Sequence, residues 1–151
     1  MTPAHLALAL AAAGPGAALA WLAILCARAD AGTPERRVIE LRVVQLASLL
    51  LAFKAAMYPG VAVADPTAPG AGLDIALAIG FFVVAGLATT VWEPPAALAR
   101  LAVAWAAHGA VDMAHAAELL PLPVASPWYP TACAMYDVVV AGLCYLPRLR
   151  R

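Results

Sequence analysis

The stretch AALARLAVAWAAHGAVDMAHAAEL, from Ala96 to Leu119, is mostly apolar enough to lie in a membrane, yet it carries ionisable side chains. His108, Asp112 and His115 follow one another at the spacing i, i+4, i+7, which places them on one face of an α-helix. Ionisable groups inside a membrane span are costly, and they usually mark a functional site or a specific packing contact. The stretch therefore predicts a membrane helix with one polar face.

The composition of the whole chain also indicates a membrane protein. Of its 151 residues, 65% are hydrophobic and 12% are charged, whereas soluble domains average about 45–50% apolar and about 25% charged residues. The apolar residues form long blocks, which favours helices solvated by lipid and leaves no room for a separate soluble domain. The formal net charge is +0, so no basic surface indicates a nucleic-acid partner.

Turn and proline signals divide these blocks into five predicted spans. Gly32-Thr33-Pro34 precedes the second span, Pro59-Gly60 ends it, and Glu93-Pro94-Pro95 precedes the fourth. We expect one integral membrane domain, an all-α bundle of five transmembrane helices. The predicted spans are residues 3–26, 38–58, 72–92, 96–119 and 131–146.

The distribution of positive charge predicts the orientation of the chain. Arginines lie in or beside the first and third connections and at the C-terminus, namely Arg28, Arg36, Arg37, Arg42, Arg100, Arg148, Arg150 and Arg151. Cytoplasmic loops carry the positive charge, so we expect the N-terminus outside and the C-terminus inside. Alanine- and arginine-rich, lysine-poor usage indicates a bacterium with a GC-rich genome, and hence the lipid bilayer of a bacterial cytoplasmic membrane.

This orientation brings polar residues of different spans to a similar depth. Asp112 and His115 fall in the outer half of span four, and Lys54 falls in the outer third of span two. Asp137 lies about 9 Å into span five, and His108 lies about 6 Å deeper than Asp112. We therefore predict a polar site between spans two, four and five that opens to the outer side.

Two kinds of ion chemistry fit this set. The imidazoles and carboxylates of His108, Asp112, His115 and Asp137 can ligate a divalent metal such as zinc, iron or manganese. Chains of Asp and His inside spans also relay protons or ions in transporters and pumps. Five short spans are few for a transporter, so this second hypothesis implies a homo-oligomer.

A third hypothesis is a pocket for a lipid or another small molecule. In such a pocket Asp112 and Asp137 are the candidate catalytic residues, as an acid/base pair, or else they bind a cationic ligand. Trp105 and Tyr136 would supply aromatic walls.

A structural interpretation competes with all three. Asp112 or Asp137 would pair with Lys54, and intramembrane hydrogen bonds of about 0.6–2 kcal/mol would fix helix neighbours. The chain would then be a non-catalytic accessory or scaffold subunit, with another membrane subunit as its partner. An enzyme or transporter should present the polar residues to one cavity reachable from outside, whereas a scaffold should bury them in direct pairs.

Overall fold

The computed structural model describes residues 3–64, 66–67, 69–121 and 128–149, and its regular elements there are all helical. This confirms the predicted all-α class. The helices are α1 (Pro3–Arg28), α2 (Pro34–Ala55), α3 (Met57–Ala64), α4 (Ala71–Thr90), α5 (Pro94–Ala116) and α6 (Trp128–Tyr145), followed by a 3-10 turn, Leu146–Arg148. Most of the connection predicted between spans four and five (residues 122–127) lies outside the described residues, as do Arg150 and Arg151.

Within the described ranges, four stretches are long and apolar enough to cross a membrane. They are Leu10–Arg28, Pro34–Ala64, Ala71–Thr90 and Trp128–Arg148. The remaining predicted span corresponds to α5, which has 23 residues but is less apolar, because its buried face carries ionisable side chains. A membrane helical bundle with four candidate spans is therefore what length and composition support.

Local sequence signals explain where two of the helices begin. The Thr33 hydroxyl accepts a hydrogen bond from the backbone N–H of Arg36 at 3.3 Å, and Pro34 occupies the first turn of α2. Proline also opens α5, directly after Glu93. Proline suits this position because the first N–H groups of a helix have no intrahelical partner.

The end of the second predicted span differs from the expectation. Pro59-Gly60 does not stop the helix there; instead α2 ends at Ala55 and α3 begins at Met57 and continues to Ala64. Pro59 falls in the first turn of α3, where its missing N–H removes no helical hydrogen bond. The break before Met57 brings Tyr58 into the interior, where it is only 8% exposed.

The helices pack so that one end of the bundle has a polar interior. The most extensive contact is between α5 and α6, while α2 contacts α1, α4 and α5. Gly109 allows the close approach of α5 and α6, because a Cβ atom there would lie 3.2 Å from the Cβ of Asp137. The outward faces are apolar, with exposed side chains such as Leu49, Phe53, Val103 and Val138, as lipid contact requires.

Candidate functional site

The buried face of α5 changes from apolar to polar along the helix. Its first half contributes Leu98, Leu101 and Trp105 to the core, and its second half contributes His108, Asp112 and His115. The three polar side chains are at most 2% exposed. The spacing i, i+4, i+7 therefore produces a polar stripe that faces the other helices.

Four of the predicted site residues meet in one inward-facing group, which we call the charged group: Lys54, His108, Asp112 and Asp137. The last three are buried, and the side chain of Lys54 is 13% exposed. His108 Nδ1 lies 2.7 Å from Asp137 Oδ2 and 3.6 Å from Asp112 Oδ2. Lys54 Nζ lies 3.4 Å from Asp137 Oδ1 and 3.7 Å from Asp112 Oδ2. Helices α2, α5 and α6 each contribute to this group, so both carboxylates face the same ammonium and the same imidazole.

Aromatic side chains surround the charged group. The ammonium of Lys54 lies 5.7 Å from the centre of the Tyr136 ring, and the Phe81 ring lies 4.9 Å from the imidazole of His108. Trp105, with its ring 6.5 Å from His108, donates its indole N–H to the backbone oxygen of Ala47 at 3.3 Å. Aromatic rings therefore pack around both the Lys54 ammonium and the His108 imidazole.

Three of the four predicted metal ligands lie close enough to share an ion. One ligand atom each of His108, Asp112 and Asp137 lies within 4.8 Å of the others. His115 lies outside this set, because seven residues separate it from His108, about 10.5 Å along a helix. The Lys54 ammonium already contacts both carboxylates, so a metal ion would have to compete with it.

His115 belongs to a second polar contact, with Asp74 in the first turn of α4. His115 Nε2 lies 3.3 Å from Asp74 Oδ1, and His115 Nδ1 lies 2.9 Å from the backbone oxygen of Pro121. The chain turns back towards His115 because Glu118 adopts a left-handed conformation, with φ 58°. We call the contact between Asp74 and His115 the Asp74–His115 pair.

Tyr58 connects the pair to the charged group. Its hydroxyl donates a hydrogen bond to Asp112 Oδ1 at 2.7 Å, and its ring stacks on the imidazole of His115 at 4.7 Å between centroids. From the sequence Tyr58 is an aromatic anchor at the end of span two, and Asp74 is only an acidic residue near the start of span three. The sequence signal that could have identified Tyr58 as a site residue is its position four residues after Lys54. His108 and Asp112 have the same one-turn spacing.

Several buried polar atoms of the site lack a hydrogen-bond partner within the described part of the chain. They are Asp74 Oδ2, Asp112 Oδ2, His115 Nε2 and Asp137 Oδ1. Three of them lie 3.3–3.7 Å from an oppositely charged or ionisable group, but without hydrogen-bond geometry. Because buried polar atoms are nearly always bonded, the site has unused capacity to bind a proton, a cation or water.

Comparisons of the chain with protein-family models, with curated proteins and with solved structures found no match. The chemistry of the site must therefore be inferred from its own geometry.

Proposed function

We propose that the protein crosses the membrane five times, with its N-terminus outside, and that α5 is the fifth span. At 1.5 Å per residue, the 23 residues of α5 reach about 35 Å, enough for a hydrocarbon core of about 30 Å. Its ionisable residues from His108 onward face inward, whereas Val103 and Met113 on its outward face are 70% and 49% exposed. A helix that buries its ionisable residues and exposes apolar ones can cross a membrane despite its lower mean hydropathy.

We further propose that the buried site takes up and releases protons from the outer side, in support of transport or chemistry by this membrane protein. The observation that carries the proposal is the pair of contacts that His115 makes, through Nδ1 with the backbone oxygen of Pro121 and through Nε2 with Asp74. The oxygen of Pro121 can only accept a hydrogen bond, so His115 Nδ1 must carry a hydrogen. A neutral ring would then present a bare Nε2 to Asp74 Oδ1 at 3.3 Å. One mobile proton between these two atoms removes the repulsion.

Charge balance gives the charged group a place for a second proton. Asp112 and Asp137 carry two negative charges, and Lys54 supplies one positive charge. Net charge is costly away from water, and a proton on His108 Nδ1, which faces both carboxylates, balances the group. Each of the two polar contacts therefore has a place for one exchangeable proton.

The two proton positions are joined by a continuous set of side-chain contacts, one of which is a ring stack. Tyr58 touches His115 with its ring and Asp112 with its hydroxyl. Asp74, in the first turn of α4, follows the connection after span two, and His115, in the last turn of α5, precedes the connection after span four. Both connections lie outside in the proposed orientation, so the pair is nearer the outer side. The charged group lies further along the same series, where His108, between Asp112 and Asp137, accepts the proton in the interior.

Infrared spectroscopy of the protein in lipid vesicles tests this proposal. We expect carboxyl bands that change between about pH 5 and pH 8, the range in which imidazole exchanges its proton. Asp74→Asn and Asp137→Asn should each remove one band, whereas Glu35→Gln, at an exposed position, should remove none. Identical pH-difference spectra for the wild type and the Asp74→Asn/Asp137→Asn double variant would rule the proposal out.

A scaffold subunit is the second candidate function, because the site residues do lie in direct pairs. In that case the pairs stabilise the contacts of α5 with α4 and α6, and no site group changes protonation in the working pH range. The same spectra separate the two candidates. A scaffold should show unchanged carboxyl bands in the wild type and a loss of co-purifying membrane subunits in Asp137→Asn.

The orientation has its own test. A reporter fused after Arg151 should be active only in the cytoplasm if the C-terminus lies inside. Activity on the outer side alone would reverse the orientation, and the site would then open to the cytoplasm of the proposed bacterial cell.

A further inference from the structure

A small cavity lies between the Asp74–His115 pair and the charged group. Tyr58, Asp74 and His108 line it, together with five apolar side chains of α2, α4 and α5. Its volume is about 10 Å³, which is about the space that one water molecule needs. Asp74 belongs to the pair, His108 belongs to the charged group and Tyr58 contacts both, so the cavity borders both polar contacts.

Three of the residues that line this cavity carry polar groups that can bind water. Asp74 is 3% exposed, and its Oδ2 has no hydrogen-bond partner in the described ranges. The Tyr58 hydroxyl already donates to Asp112, so its oxygen remains free to accept a second bond. The imidazole of His108 is held through Nδ1 and borders the cavity with the rest of its ring. A buried water typically makes two to four hydrogen bonds, which these three residues can supply.

We infer that one ordered water molecule binds in this cavity and joins Asp74 to His108. The inference deepens the proposed function, since this water gives a proton at Asp74 a hydrogen-bonded route to the charged group. Tyr58 alone does not provide that route, because its contact with His115 is a ring stack. Water is favoured over an apolar occupant because a buried carboxylate oxygen without a partner costs about 1–3 kcal/mol.

The cavity can be filled by substitution at Ala78, a buried residue of α4 that lines it. Ala78→Val places two extra methyl groups against the cavity. Ala85→Val is the matched control, because Ala85 is also buried on α4 but does not line the cavity. Both variants crowd the same helix, so a difference between them reports on the cavity.

The experiment is infrared difference spectroscopy of the protein in lipid, in ordinary water and in water labelled with oxygen-18. We expect an isotope-sensitive O–H band of one strongly bonded water in the wild type and in Ala85→Val, and its loss in Ala78→Val. Asp74→Asn should shift the band in frequency, because an amide is a weaker acceptor than a carboxylate. A wild type without the band, or an equal band in Ala78→Val, overturns the inference.

The outcomes for water and for proton exchange are separable. If the wild type lacks the water band while the Asp74 and Asp137 carboxyl bands still respond to pH, the water inference fails and the proposed function stands. If the water band is present while the carboxyl bands ignore pH, the proposed function fails. Should Ala78→Val not fold, the wild-type band and its shift in Asp74→Asn still decide the question.

Discussion

Inward-facing charged side chains occur at both ends of α2, and the two regions differ in how completely their polar atoms are bonded. At the N-terminal end, Arg36 is 3% exposed. Its guanidinium donates to Glu40 Oε1 at 3.2 Å, to the backbone oxygen of Ala29 at 2.8 Å and to that of Pro147 at 2.6 Å. All three nitrogens are used, and the contacts join the end of α1, the start of α2 and the turn after α6.

At the other end, about 27 Å along the helix, Lys54 belongs to a group that is charged but incompletely bonded. One oxygen of Asp112 and one of Asp137 have no hydrogen-bond partner in the described residues. Leaving such atoms unbonded costs about 1–3 kcal/mol each. Arg36 thus shows that this bundle can bond a buried charge fully. The incompletely bonded atoms around Lys54 support the proposed proton exchange, whereas the complete bonding of Arg36 predicts a role in stability.

The strongest test of this comparison is to remove Arg36, whose guanidinium is fully hydrogen-bonded. We expect Arg36→Met to lower the free energy of unfolding by about 3–5 kcal/mol, because it leaves Glu40 buried without its guanidinium. Unfolding in detergent micelles, followed by circular dichroism, measures the change. Arg42→Met, at an exposed position of the same helix, should change little. A cost for Arg36→Met as small as that for Arg42→Met would show that the saturated contacts do not stabilise the bundle.

A larger side chain at Gly109, where α5 contacts α6 beside Asp137, should have the next largest effect. A Cβ atom at Gly109 would lie 3.2 Å from the Cβ of Asp137 and 3.4 Å from the backbone oxygen of Ala134. We expect Gly109→Ala to cost about 1–3 kcal/mol by overpacking and to move Asp137 away from His108, which weakens its carboxyl band. Gly80→Ala meets no atom within 4 Å and should stabilise α4 by about 0.5–1 kcal/mol. Equal effects of the two substitutions would contradict the tight contact.

Much of the helical architecture follows from the sequence, because its signals are local. Long apolar blocks, and prolines at helix starts such as Pro34 and Pro94, set the helix bounds within a few residues. The local signals do not predict that the helix breaks at Ala56, or that α3 continues past Pro59. Proline can end a helix or occupy its first turn, and the tertiary contact of Tyr58 with Asp112 accompanies the second outcome.

The site could be predicted only as a set of residues at similar depth. Periodicity places His108, Asp112 and His115 on one face, but an ion pair depends on which helix lies opposite each turn. Asp74 on α4 faces His115, and Asp137 on α6 faces His108, so one stripe takes part in two separate contacts. No single-helix pattern contains that information, since it resides in the packing of α4 and α6 against α5.

The metal hypothesis makes a prediction about Lys54, whose ammonium occupies the place between the carboxylates that a metal ion would need. Two like charges 4 Å apart repel by about 4 kcal/mol at an effective dielectric constant of 20, so the ammonium should oppose a divalent ion between the carboxylates. We expect Lys54→Met to bind Co²⁺ at least about tenfold more tightly than the wild type, which needs only 1.4 kcal/mol. Equilibrium titration with visible absorption measures it. Lys54→Arg keeps the charge and should bind as the wild type does; equal affinities for the Met and Arg variants would refute the competition.

The smallest effect is expected at the residue next to Arg36. Arg37 Nη2 lies 2.8 Å from Glu93 Oε2, closer than Arg36 lies to Glu40, but the two side chains are 71% and 73% exposed. Exposed pairs contribute about 0.2–1 kcal/mol and weaken with salt. A double-mutant cycle with Arg37→Ala and Glu93→Ala should therefore give a coupling below about 1 kcal/mol that falls as salt is added. A salt-independent coupling as large as the loss in Arg36→Met would mean that burial is not what separates these adjacent arginines, and the contrast between the two ends of α2 would lose its physical basis.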